Sequence, residues 1–114
     1  MKFIHFFALL ILSLGFTACY KPGTIEVKNS ISNAKIKQVK WGNVYLGTNL
    51  LPGQSTGEIT IEKEDQNLPA SNKIKFTMEA NNRQVYLETE ELFSLDQDEL
   101  KTIVLTDSTV VVTP

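Results

Sequence analysis

The chain has 114 residues, 42% of them hydrophobic, with 11 basic and 13 acidic side chains and a formal net charge of −2. That length supports one domain with a modest core and is too short for two. The only histidine, His5, and the only cysteine, Cys19, lie at the start of the chain; this excludes an internal disulfide, and from everything downstream Ser-His-Asp or Cys-His catalysis and His- or Cys-based zinc sites.

Met1-Lys2 gives a basic start, Phe3 to Leu14 an apolar stretch, and Gly15-Phe16-Thr17-Ala18 a mostly small run ahead of Cys19. This is the layout of an export signal. The apolar run ends at Phe16 and contains His5, so it falls short of the roughly 20 residues of a membrane span. With its cysteine directly after Thr17-Ala18, the segment resembles the lipobox of bacterial lipoproteins, although Phe16 stands where an aliphatic residue is usual. The resemblance implies a signal peptide over residues 1–18, cleavage before Cys19 and a diacylglyceryl group on its sulfur, usually with an acylated new N-terminus. Each buried methylene contributes about 0.8 kcal/mol, so two or three acyl chains make attachment effectively permanent. Tyr20, rather than Asp, after the cysteine favours the outer membrane of a two-membrane cell. An ordinary secretory cut after Ala18 is the competing reading. Residues 19–23 then form a lipidated cysteine and short tether, and residues 24–114 the folded domain.

Thr24 to Lys28 alternates with period two and stops at Asn29-Ser30. Ala34 to Trp41 is a second strand whose apolar register slips near Val39, as at a bulge. Gly42-Asn43 breaks it, and Val44-Tyr45-Leu46 reads as a short edge segment. Pro52-Gly53 is a turn signal, because proline presets φ and glycine accepts positive φ. Gly57 to Glu62 resumes alternation with Ile59 and Ile61 inward, and Lys63 to Asn72 is the longest loop. The clearest hairpin follows: Ile74, Phe76 and Met78 inward, a turn at Asn81-Asn82, and a return strand with Val85 and Leu87 inward. Thr89 to Glu99 admits two readings. Ser94 with Gln97 suits a capping box opening a helical turn; Asp96 to Glu99 equally suits a turn before the strand Lys101 to Thr106. Thr109 to Thr113 is the last strand.

About seven strands, abundant β-branched residues and no helix-length amphipathic stretch predict an all-β fold, a single antiparallel β-sandwich. A small open β-barrel is the alternative. In strand spacing the domain resembles the immunoglobulin-like and transthyretin-like modules of small envelope lipoproteins. That likeness is architectural, and such folds host many functions.

Charge is uneven: residues 20–50 hold five Lys and one Glu, whereas residues 51–114 hold five basic and twelve acidic side chains. The basic part suits either anionic lipid or glycan, or a solvated sheet face on which Lys35 and Lys37 flank Ile36. Nucleic acid is not expected as the partner of an exported, net-acidic domain. Trp41 and Tyr45, with Asn43 and Asn49 nearby, form a candidate glycan patch, since aromatic faces stack on sugar rings and amides bond hydroxyls. Against this stands the reading that Trp41 plugs the sandwich core, as most single tryptophans in such domains do. Asp96, Asp98 and Glu99 form a calcium candidate that lacks the glycine and final glutamate of an EF-hand loop. Val110-Val111-Val112 reads as a buried central strand or an unguarded edge open to strand addition. The expectation is a lipid-anchored, non-catalytic envelope protein, without cofactor, that binds another envelope component; the alternative is a glycan-binding module.

Overall fold

The structure, a computed structural model, describes residues 20–114; the signal segment and the Cys19 lipidation site lie outside the described residues. Ten strands follow in order: β1 (Gly23–Ser30), β2 (Lys35–Trp41), β3 (Val44–Gly47), β4 (Ile59–Ile61), β5 (Ala70–Asn72), β6 (Ile74–Ala80), β7 (Arg83–Thr89), β8 (Phe93–Leu95), β9 (Leu100–Thr106) and β10 (Val111–Val112). The described residues contain no helix. The strands form a three-stranded sheet β4-β1-β9, a five-stranded sheet β10-β7-β6-β2-β3 and a small pair β5-β8. None closes into a barrel, and the two larger sheets make an all-β sandwich.

Alternation explains which residues the sheets bury. β1 turns Ile25, Val27 and Asn29 inward, and β2 turns Ile36, Val39 and Trp41 inward. The inward set of β2 skips from Ile36 to Val39 because a bulge interrupts its pairing with β6 between Lys37 and Lys40. Gln38 supplies the extra residue at φ 49°, and its N–H donates to Thr48 Oγ1 at 3.1 Å. The irregular apolar spacing in the sequence is this bulge. Asn81 and Asn82 adopt φ 53° and 63°, the paired positive values of a type I′ turn, which suits the twist of the β6–β7 hairpin.

Several elements differ from the sequence expectation. The sandwich is not wholly antiparallel: β9 pairs parallel with β1 over Thr24–Ser30 and Leu100–Thr106. Thr89 to Glu99 forms no helical turn; Phe93–Leu95 is strand β8, and residues 96–99 are the turn. The long loop ends in β5, which pairs with β8 and raises the strand count. Val85 shares a face with buried Leu87 yet is 42% exposed. It lies towards the hairpin tip opposite Met78, where burial fades because three strands do not cover five.

β1 also continues through Asn29-Ser30 instead of stopping there. Asn29 is fully buried. Its amide donates to the Ala34 and Leu50 carbonyls at 2.8 Å each, and its Oδ1 accepts the Ile31 N–H at 3.0 Å. One side chain thus ties β1 to the start of β2 and to the Leu50 segment, with its polar atoms satisfied inside the core. Asn29→Ala would strand the Ala34 carbonyl and the Ile31 N–H and take one bond from the Leu50 carbonyl, which keeps the Ile36 N–H at 3.0 Å, and should cost about 3 kcal/mol. Urea unfolding of the two proteins measures it; a difference within about 0.5 kcal/mol would show that Asn29 is not a structural clip.

Candidate functional site

Trp41 and Tyr45 are only four residues apart, but they occupy opposite faces of the five-stranded sheet. Gly42 takes φ 61° in the two-residue turn between β2 and β3, a conformation glycine adopts without steric cost. Its N–H donates to the Lys73 carbonyl at 2.9 Å. Tyr45 is paired directly with Lys40, so it shares the outward face of Lys40, whereas Trp41 points inward. Trp41 has no exposed surface, and its Nε1–H donates to the Phe93 carbonyl at 2.9 Å. The indole bridges the large sheet to β8 and offers no face to a sugar. Of the two readings of Trp41 the core one holds, and the platform candidate is corrected to a core anchor. Tyr45, Asn43 and Asn49 are exposed, and Asn49 belongs to the segment after β3, at φ 58°.

The carboxylates proposed for calcium do not converge. Glu99 Oε1 accepts the Asp96 N–H at 2.8 Å, while Glu99 Oε2 lies 3.9 Å from Lys101 Nζ. Asp96 Oδ1 accepts the Gln97 N–H at 2.9 Å, and Asp98 turns towards Lys21 at 3.9 Å. These groups close a turn and pair with lysines. Among the described residues no three acidic side chains are grouped to hold a metal, and the calcium candidate is withdrawn.

What the fold brings together instead is a polar sheet face. Cross-strand register sets Tyr45, Lys40, Lys75, Glu88 and Val112 in one row across the outward side of the large sheet. Lys40 and Lys75 are directly opposed like charges, an unfavourable pairing in itself. Beside them, Glu79 sits 2.6 Å from Lys37 Nζ and 3.9 Å from Lys35 Nζ. The hydrogen bond from Lys37 is the main cause that holds the Glu79 carboxyl below its ordinary value, with both lysine charges adding to it. At the same end of the sandwich, in the connection that leads into Lys35, Asp107 accepts from Ser32 N–H at 2.8 Å and Ser32 Oγ at 2.7 Å. The Ser32 hydroxyl bond, then the backbone bond, lower its pKa as well.

The second surface is the free edge of β9. The Val110 to Val112 segment contributes only the two-residue edge strand β10, paired to β7, so it is neither central nor long. β9, by contrast, presents seven residues at the end of the small sheet. Beside it lies a cavity of about 550 Å³ bounded by Phe93, Val104, Thr109 and Val110, with Glu90 and Glu91 at its rim. Neither glutamate makes an ion pair among the described residues. Sequence reasoning missed this edge because periodicity reports which way side chains point and not which strands are neighbours.

No protein-family model matches the chain, and neither a curated protein nor a solved structure is significantly similar to it.

Both depressed carboxyls give stability that is fully present above the carboxylate range near pH 4 and is lost as pH falls through their lower folded values. Thermal unfolding should therefore be flat from about pH 7 to 5 and fall steadily below about pH 4. Glu79→Gln should lessen that acid sensitivity; an unchanged pH profile in the variant would remove Glu79 from the account.

Proposed function

We propose that this protein is a lipid-anchored, non-catalytic module of the bacterial cell envelope, held to the bilayer through Cys19 and acting by binding another envelope component. The reading is carried by Thr17-Ala18-Cys19 at the end of the apolar segment, and the end of the domain that would face the bilayer follows from the docking of the next residue, Tyr20. Its hydroxyl donates to the Gln66 carbonyl at 3.2 Å and accepts the Leu68 N–H at 3.3 Å, with Lys63 Nζ 6.0 Å from its ring centre. Lys21 then pairs with Asp98, and Asp98 N–H donates to the Pro22 carbonyl at 3.2 Å. Gly23 is already inside β1, where an added Cβ would come within 2.7 Å of the Asp96 carbonyl oxygen. Residues 20–23 are thus bound to the domain and are not a free tether.

An acylated Cys19 would hold the sandwich by this end, with the loops at residues 62–69 and 96–99 towards the headgroups. Those loops carry Glu62, Glu64, Asp65, Asp96, Asp98 and Glu99 against Lys63. On this reading the acidic end faces the membrane, and the lysine-bearing sheet face and the β9 edge stand alongside, free to meet a partner. The non-catalytic part of the reading rests on residue chemistry: residues 20–114 contain no histidine or cysteine, so a nucleophile would lack its usual base. In a two-membrane cell Tyr20 favours the outer membrane.

Growth with labelled palmitate tests the anchor. The full chain should take up label and fractionate with the envelope, and Cys19→Ser should lose both. Unlabelled protein with a Cys19 thiol open to maleimide would instead mean ordinary secretion, and would overturn the reading.

A further inference from the structure

We propose that the open edge of β9 is a docking strand, and that its occupant is an extended segment of another envelope protein with apolar residues at alternate positions and Lys or Arg at its ends. This deepens the binding-module reading and rests on it for the partner's location alone.

The backbone makes the first part of the argument. Thr24 N–H donates to the Glu99 carbonyl at 2.8 Å, and Ile25 is registered with Lys101. In a parallel ladder this fixes the alternation: Lys101, Ile103 and Leu105 bond towards β1. Leu100, Thr102 and Val104 consequently turn their N–H and C=O groups to the other side, where no described strand pairs with them. Thr106 is already capped, because its N–H donates to Thr109 Oγ1 at 2.9 Å and its carbonyl accepts the Thr109 N–H at 3.1 Å.

Sheet proteins normally blunt such an edge by making it short, charged, bulged or proline-bearing. The other edges of the two large sheets follow that practice: β4 has three residues, β3 four and β10 two. β9 has seven. Its register with β1 is unbroken by any bulge, and Thr102 to Leu105 contains neither charge nor proline. The flanking side chains are apolar and open, with Leu100 59%, Val104 46%, Val110 60% and Leu92 59% exposed.

The sheets are also mismatched in width, three strands against five. Beyond β9 the inner face of the large sheet continues into a second cavity of about 240 Å³, lined in part by Met78, Leu87 and Val111. A fourth strand beside β9 would take up the free backbone groups and offer its inward side chains to that surface, as in recognition by strand addition.

Charge selects the occupant. Glu90 and Glu91 rim the groove and make no ion pair among the described residues. A strand with cationic ends meets those two carboxylates there. A second copy of this chain would bring the same unpaired glutamates to the seam, and like charges across a strand pair are unfavourable.

The test uses purified full-length protein in detergent micelles and two synthetic probes, Arg-Val-Thr-Val-Thr-Val-Arg and Glu-Val-Thr-Val-Thr-Val-Glu. The arginine-flanked peptide should bind, shifting and protecting the amides of Leu100, Thr102 and Val104 in NMR spectra. Glu90→Lys combined with Glu91→Lys should weaken it about tenfold and favour the glutamate-flanked peptide. Val104→Pro removes one outward N–H without touching a bond to β1, and should abolish binding; the glutamate variants keep the test open if that protein misfolds. Absence of binding, equal binding of both peptides, protection at β3 or β10 instead, or self-association through β9 would each overturn the proposal. Binding by a chain that fails to take palmitate would retain the docking strand and lose the anchor, whereas an acylated chain that ignores both peptides would lose the docking strand alone.

Discussion

The parallel ladder between β1 and β9 is the constraint on which the molecule depends. It joins seven residues at the start of the domain to seven near its end, so the small sheet exists only after the intervening chain has crossed to build the large one. Parallel neighbours require such a crossover; here it carries four of the large sheet's five strands, β2, β3, β6 and β7, in place of the usual helix. β1 sits between β4 and β9 and directs Ile25, Val27 and Asn29 into the core, all fully buried. Losing the ladder would free β9, expose those side chains and leave the β1 backbone held only by three residues of β4 and by residues 53–56.

Much of the sandwich was legible in the amino-acid sequence, for reasons that are local. The β6–β7 hairpin has strict alternation around an Asn-Asn turn whose residues accept positive φ. The bulge near Val39 announced itself as a slip in apolar spacing. Features set by long-range contact were not legible. Alternation along β9 is the same whether its neighbour runs parallel or antiparallel, so the parallel pairing left no trace. Phe93-Ser94-Leu95 is too short for a period and becomes strand only by pairing with β5. Asn29 reads as a strand terminator because its local chemistry favours turns; tertiary carbonyls from Ala34 and Leu50 give it partners inside the core instead.

The candidate site shows the same division. Trp41 and Tyr45 are close in sequence, but the pleat and the turn at Gly42 send one into the core and the other to solvent. Asp96, Asp98 and Glu99 have the composition of a cation loop, yet backbone N–H groups and lysines take up their oxygens. In both cases residue type was read correctly and direction was not available. The surfaces that survive are backbone and sheet properties: an unguarded seven-residue edge, and a lysine-bearing face whose rows only cross-strand register reveals. Tyr20 adds a third, since its docking replaces an expected tether with a fixed attachment end.

Native-state hydrogen exchange along β9 tests the central ladder most directly. The structure requires protection to alternate: slow amides at Lys101, Ile103 and Leu105, which bond to β1, and fast ones at Leu100, Thr102 and Val104 on the open side. Uniform protection along the strand would mean that the second edge is covered, and the opposite alternation would mean that β9 does not pair with β1 in this register; either result would contradict the account.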